Sequence, residues 1–87
     1  MANVAIPAPL RTLTGGAAQV SVPGETLGEV IRRLDELHPG IGERLVENGK
    51  IHAGFAVFVD NQLPTTGLRT RLKPDSEVYF APAIAGG

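Results

Sequence analysis

The sequence predicts an α+β domain in which a mixed sheet of about five short strands packs on one main helix. Three observations carry that expectation. One capped amphipathic helix follows residue 26, two short strand-like runs precede it, and an apolar run and an alternating run follow it. An amphipathic helix needs an apolar surface to cover, and with a single helix of useful length that surface has to be a sheet. The 87 residues leave room for one domain.

Val4 to Leu10 reads as the first strand, with Pro7 and Pro9 marking its end or a bulge, because proline lacks the N–H that a ladder needs. Thr14-Gly15-Gly16-Ala17 has turn chemistry, and Gln19-Val20-Ser21-Val22 alternates as a half-buried strand does. These two runs are expected to form an opening hairpin. Thr26 and Glu29 have capping-box spacing, so hydroxyl and carboxylate can each satisfy a free N–H at the start of a helix. Leu27, Val30, Ile31, Leu34 and Leu37 define its apolar face, while Arg32, Arg33, Asp35 and Glu36 lie opposite. Pro39-Gly40 stops it.

Beyond the helix, Ile41 to Leu45 predicts a short helical turn and Glu47 to Lys50 a surface loop. Phe55 to Val59 is the most apolar stretch and the candidate central strand. Asp60-Asn61 turns the chain, and Gln62 to Leu72 is expected to be irregular with one short strand. After a turn at Pro74-Asp75-Ser76, Glu77 to Ala81 alternates again, with Val78 and Phe80 on one face. Five short strands around one helix fit a β-grasp, ubiquitin-like domain, although periodicity leaves it one topology among several.

Composition excludes more functions than it supplies. With no cysteine there is no disulfide framework, thiolate zinc site or cysteine nucleophile. A net charge of −1 gives no general attraction to nucleic acid. No apolar run approaches the roughly 20 residues that span a bilayer, and Met1-Ala2-Asn3-Val4 does not open a signal peptide, so a cytoplasmic protein is expected. His38 and His52 share no ligand spacing with carboxylates, so no metal site is predicted. Ser21 and Ser76 lack a nucleophile elbow. Thr14-Gly15-Gly16 lacks a P-loop lysine. Arg69, Arg71 and Lys73 read as a solvated edge rather than a binding patch. A self-contained enzyme is not expected.

The C-terminus has a chemistry of its own. Residues 1–82 form the expected domain, and Ala83-Ile84-Ala85-Gly86-Gly87 follow as a flexible tail. Five extended residues reach up to ~17 Å. Ile84 is the one side chain there larger than a methyl group, so the tail can thread a narrow channel. Gly86 and Gly87 allow close backbone approach. The terminal carboxyl, ionised above a pKa of about 3.5, is a poor electrophile. Its reaction needs an external activating enzyme and ATP. The lack of cysteine means that no internal thiol competes for an activated carbonyl.

At this point the chain resembles a known family, the ubiquitin-like sulfur carrier proteins (the ThiS/MoaD/CysO family), over nearly its whole length. The resemblance rests on Ile6-Pro7 with Leu10-Arg11 and Thr14-Gly15-Gly16, on Glu25-Thr26-Leu27-Gly28, and on Pro39-Gly40-Ile41 with Glu43-Arg44-Leu45. It continues through Asp75-Ser76-Glu77-Val78 to Pro82-Ala83-Ile84-Ala85-Gly86-Gly87. The Thr14-Gly15-Gly16 and Pro39-to-Leu45 stretches look most like the CysO branch. The resemblance implies a β-grasp fold and a protein co-substrate without a bound cofactor. An E1-like enzyme would adenylate the Gly87 carboxylate with ATP, and a sulfur donor would leave a thiocarboxylate there. Ala83, Ile84, Ala85 and Gly86 would be the partner-binding tail. The acceptor implied by the CysO branch is a PLP-dependent cysteine synthase, with a metalloprotease releasing the product; relatives serve other thio-product synthases.

Other readings share the activation step. A ubiquitin-like modifier would attach Gly87 to lysines of targets, and a small subunit of molybdopterin synthase would stay with one larger partner. A non-reacting interaction domain would carry the glycine pair by chance. Phe58 or Tyr79 is expected either on a docking face of the sheet or in the core. Asp75 and Glu77 are expected near the tail as solvated charge, or against a basic patch of the activating enzyme.

Overall fold

The structure is a computed structural model and describes residues 1–82. The opening hairpin is present, but its first strand is shorter and earlier than Val4 to Leu10. β1 (Ala2–Ala5) pairs antiparallel with β2 (Gln19–Val22), Ala2 opposite Val22 and Ala5 opposite Gln19. The segment that follows β1 is a 3-10 helix, Ala8–Thr14, rather than strand. Pro7 and Pro9 explain the difference: a proline's fixed φ and missing N–H suit the first turn of a helix, where the donor would have no partner anyway. Leu10 N–H then donates to Pro7 O at 2.9 Å, and Leu10 is buried. Gly15, at φ +65°, ends this helix in the left-handed region.

The main helix α1 (Leu27–Leu37) begins as the capping-box spacing predicts. Thr26 Oγ1 accepts the Glu29 N–H at 3.2 Å, and the Glu29 carboxylate accepts the Glu25 N–H at 3.1 Å. Leu27, Val30, Ile31 and Leu34 are buried, but Leu37 is 58% exposed. A step of three residues falls about 60° short of a turn. Leu37 therefore slips off the apolar stripe, and the helix ends at once. Short helix α2 (Ile41–Leu45) is held to α1 by Asp35, whose Oδ1 accepts the N–H groups of Gly40 at 3.1 Å and Gly42 at 2.9 Å.

Glu47 to Lys50 is not a loop. β3 (Val46–Glu47) and β4 (Lys50–Ile51) form a tight two-stranded hairpin. Asn48 at φ +54° and Gly49 at φ +75° supply the left-handed pair that a two-residue turn of matching twist requires. The expected short strand within Gln62 to Leu72 is absent as well; a 3-10 turn, Gly67–Arg69, and isolated bridges at Gln62 and Arg71 stand there.

β5 (Phe55–Val59) and β6 (Glu77–Pro82) complete the main sheet, whose order is β2-β1-β6-β5. β6 runs parallel to β1 and antiparallel to β5. Phe55 to Val59 is thus an edge strand and not the central one. Its apolar character comes from contributing to both faces, Val57 and Val59 inward and Ala56 and Phe58 outward. The centre belongs to β1 and β6, whose Val4, Val78 and Phe80 are almost wholly buried. Against this inner face lie the apolar stripe of α1, Ile41 and Leu45 of α2, and Ile6 and Val22. Among the described residues there are six strands in two sheets, in keeping with the expected sheet of about five, and one main helix packs on one face as anticipated.

Candidate functional site: the outer sheet face and the β6 exit

β6 passes through the middle of the sheet and delivers the chain to the exposed Pro82, opposite Phe55. The residues named for the tail, Ala83, Ile84, Ala85, Gly86 and Gly87, lie outside the described residues. The structure does define the surface from which they depart. Alternation along β6 sends Val78 and Phe80 to the core and Glu77, Tyr79 and Ala81 to the face away from α1.

The register arranges that outer face in rows. Gln19, Ala5, Tyr79 and Phe58 form one row across all four strands, and Ala81 and Ala56 form the next, nearer the exit. Tyr79 is 53% exposed, and its ring lies 6.2 Å from that of Phe58 with 34° between their planes. Both aromatics therefore stand on the outer face, which resolves the two expectations for them. The opposite end is polar: Ser21 Oγ donates to Asn3 Oδ1 at 2.9 Å, and Asn3 Nδ2 reaches a Glu77 carboxylate oxygen at 3.5 Å. The apolar half borders the exit.

Glu77 starts β6 and Pro82 ends it, so Glu77 stands at the far end of the strand from Pro82. The expected closeness of Glu77 and Asp75 to the tail concerns residues outside the described ones. Five strand steps separate Glu77 from Pro82 by about 17 Å. The acid beside Glu77 is Asp60, which bridges two strands. Its Oδ1 accepts the Glu77 N–H at 2.9 Å and its Oδ2 accepts the Ser76 hydroxyl at 2.9 Å. Those bonds, the Glu77 amide first, hold the Asp60 carboxyl below the usual carboxylate range. Ser76 is buried, and its oxygen also accepts the Lys73 N–H at 2.8 Å. That hydroxyl ties the turn to the sheet and is not poised to attack a substrate.

The histidines have structural settings. His38 follows the last residue of α1, and its N–H donates to Leu34 O at 2.8 Å. His52 Nδ1 accepts the Gly54 N–H at 2.9 Å, and its ring meets Phe55 edge-on. Arg69, Arg71 and Lys73 are exposed, and Arg71 stands 3.8 Å from Glu25 in a solvated pair of small energetic weight. Among the described residues, no three His, Asp or Glu side chains gather closely enough for a metal ion, and no helix is long and apolar enough to cross a membrane. The aromatic pair is the feature that residue-by-residue reasoning left undecided. Strand parity was its signal, once β5 and β6 are known to be neighbours.

A mixed sheet with its first and last strands parallel at the centre, covered by one helix and releasing the chain beside an apolar outer face, defines a β-grasp protein of the ubiquitin-like class. Residues 4–87 match the ThiS family, and the chain belongs to it. It is 39% identical over 90 residues to the sulfur carrier protein CysO of Mycobacterium tuberculosis, across 98% of this chain and 97% of the relative. Solved structures agree. A chain of the Amycolatopsis orientalis BexX/CysO complex superposes with a TM-score of 0.92 at 36% identity, covering 100% of both chains. Mycobacterium tuberculosis CysO gives 0.91 at 36% identity, covering 97% of this chain and 100% of that one. The small archaeal modifier protein 1 of Methanosarcina acetivorans, at 22% identity and a TM-score of 0.81 over 99% and 95% of the two chains, shares the fold.

Proposed function

We propose that this protein is a sulfur carrier that acts as a co-substrate of partner enzymes. The observation that carries the reading is the 39% identity to CysO, a protein named as a sulfur carrier, over 98% of the chain. The Gly87 carboxylate attacks the α-phosphorus of ATP in the active site of an E1-like enzyme, and pyrophosphate leaves. A sulfur nucleophile then attacks the acyl carbon of the adenylate, AMP leaves, and Gly87 carries a thiocarboxylate. The carrier itself supplies no cofactor to these steps. Sulfur is a softer and better nucleophile than the carboxylate oxygen, and it reaches the acceptor without release of free sulfide.

The chain's own contribution is presentation. The Tyr79–Phe58 row and Ala81 beside the exit offer an apolar docking surface for the activating enzyme. Ala83 to Gly87 thread its channel, with Gly86 giving clearance beside the reacting carbonyl. A PLP-dependent cysteine synthase is the acceptor that the likeness to CysO favours, followed by a metalloprotease that frees the product.

The test is intact-mass measurement after incubation with an E1-like adenylating enzyme, ATP and a sulfide source. Replacement of one oxygen by sulfur, located in the C-terminal peptide, is expected. The reading fails if the active enzyme leaves the mass unchanged, or if a chain lacking Gly87 gains the same shift.

A further inference from the structure

The main sheet stops where β6 ends, and the stop involves three backbone positions. Between β1 and β6, Asn3 N–H donates to Ser76 O at 2.9 Å, in a register that sets Ala5 opposite Tyr79. Donors to one neighbour recur at every second residue. Beyond Ala5, the next rung would therefore join the N–H of residue 7 to the Phe80 carbonyl, and the N–H of residue 82 to the carbonyl of residue 7. Both donor positions are prolines, Pro7 and Pro82, and neither has an N–H.

On the other side of β6, Asp60 N–H donates to Glu77 O at 2.8 Å, while the N–H groups of Val59 and Phe55 turn away to Gln62 O and His52 O. The even-numbered residues of β5 thus aim their donors at β6. The register that sets Phe55 opposite Pro82 would aim the next of these donors, the Gly54 N–H, at the residue after Pro82. Of the three donors that would extend the sheet, this one exists, and it is already taken. Gly54 N–H donates to His52 Nδ1 at 2.9 Å.

The His52 ring is placed by its own backbone. His52 N–H donates to Leu45 O at 2.8 Å, its carbonyl accepts the Phe55 N–H at 3.0 Å, and its ring lies edge-on to Phe55. Accepting at Nδ1 requires a lone pair there, so the neutral ring carries its hydrogen on Nε2. Nε2 faces the Glu47 carboxylate of β3 at 4.0 Å, and Lys50 of β4 stands opposite Glu47 across the hairpin. A second proton would have to sit on Nδ1. That nitrogen would then be a donor facing a donor, so the Gly54 N–H would be released while Glu47 attracts the charged ring.

We propose that His52 is a positioning residue of the exit. Its neutral ring withholds the Gly54 N–H from β6, completing the stop begun by Pro7 and Pro82, and protonation returns that donor to the β5–β6 ladder. The chain beyond Pro82 then gains a rung on the sheet and is less available to a partner. The added rung follows from the fold alone; its consequence for a partner rests on the sulfur-carrier reading.

The test begins with NMR of the 15N-labelled full chain between about pH 8 and pH 5, the range in which imidazoles change charge. At the alkaline end, His52 Nδ1 is expected to be unprotonated and Nε2 protonated. As pH falls, the Gly54 amide should shift with the same midpoint as the His52 ring. His52→Ala should show, at the alkaline end, a contact between the amide protons of Gly54 and Ala83 that the parent chain shows only at the acid end. His52→Asn keeps an acceptor for the N–H two residues on, so its Gly54 amide should stay bonded throughout. In an E1-like adenylation assay at the alkaline end, His52→Ala is expected to raise the KM for the carrier about fivefold, the effect of one net hydrogen bond. The kcat should be unchanged, and His52→Asn should match the parent. The proposal is overturned if Nδ1 carries hydrogen at the alkaline end or if Gly54 does not follow the ring. It is equally overturned if His52→Ala, with its sheet amides retained, gives no Gly54–Ala83 contact, or if the parent reacts and His52→Ala has the same KM. A parent chain that the enzyme leaves unmodified would defeat the sulfur-carrier reading instead, and the NMR outcomes would still decide the role of His52.

Discussion

Tyr79 on β6 stands directly opposite Phe58 on β5, with ring centroids 6.2 Å apart, on the face of the sheet turned away from α1. Neither ring is needed to fill the core, yet together with Ala5, Ala56 and Ala81 they make the surface beside the β6 exit apolar.

Replacing Tyr79 should therefore affect partner docking more than folding. Tyr79→Asp is expected to raise the KM for the carrier in an E1-like adenylation assay at least tenfold, since a central interface aromatic contributes about 2 kcal/mol or more. The thermal midpoint should change little. Pyrophosphate release measured against carrier concentration, alongside a melting curve, checks both parts.

The tail makes the complementary prediction. Gly86→Val adds a branched side chain next to Gly87 and, on the proposed sulfur-carrier reading, should block formation of a thiocarboxylate there. Its melting temperature should match that of the parent chain. Intact-mass analysis after incubation with enzyme, ATP and sulfide reads the first outcome, and calorimetry the second.

Asp60 gives a pH dependence with a definite sign. Its carboxyl is held low by the Glu77 amide and then by the Ser76 hydroxyl, so its ionised form is favoured in the folded state. That contribution is complete above the unfolded carboxyl pKa of about 3.9 and is lost as pH falls through the lower folded value. Asp60→Asn is expected to lower the melting temperature at pH 7. The gap from the parent chain should narrow below about pH 4, as melting curves across the acid range would show.

The start of α1 provides a stability test. Thr26→Ala removes the hydroxyl that accepts the Glu29 N–H and should cost about 1 kcal/mol in denaturant unfolding. Thr26→Ser, which keeps the acceptor, should recover most of the loss.

The sequence by itself determined what depends on neighbours along the chain. Thr26 and Glu29 start α1, Pro39-Gly40 prevents its continuation, and the alternation of Glu77 to Ala81 puts Val78 and Phe80 on one side. These are local matters of capping, proline sterics and side-chain parity. Tertiary structure decided what depends on distant pairing. Phe55 to Val59 became an edge strand because β6 takes the place beside β1, a choice made by contacts more than 70 residues apart in sequence. The antiparallel pairing of β5 with β6 brought Tyr79 beside Phe58. The strand order also left β2 at the opposite edge, where the outward backbone groups of Gln19 and Ser21 have no partner among the described residues. Periodicity says which side chains share a face, but only strand order says which neighbours that face and its edges acquire.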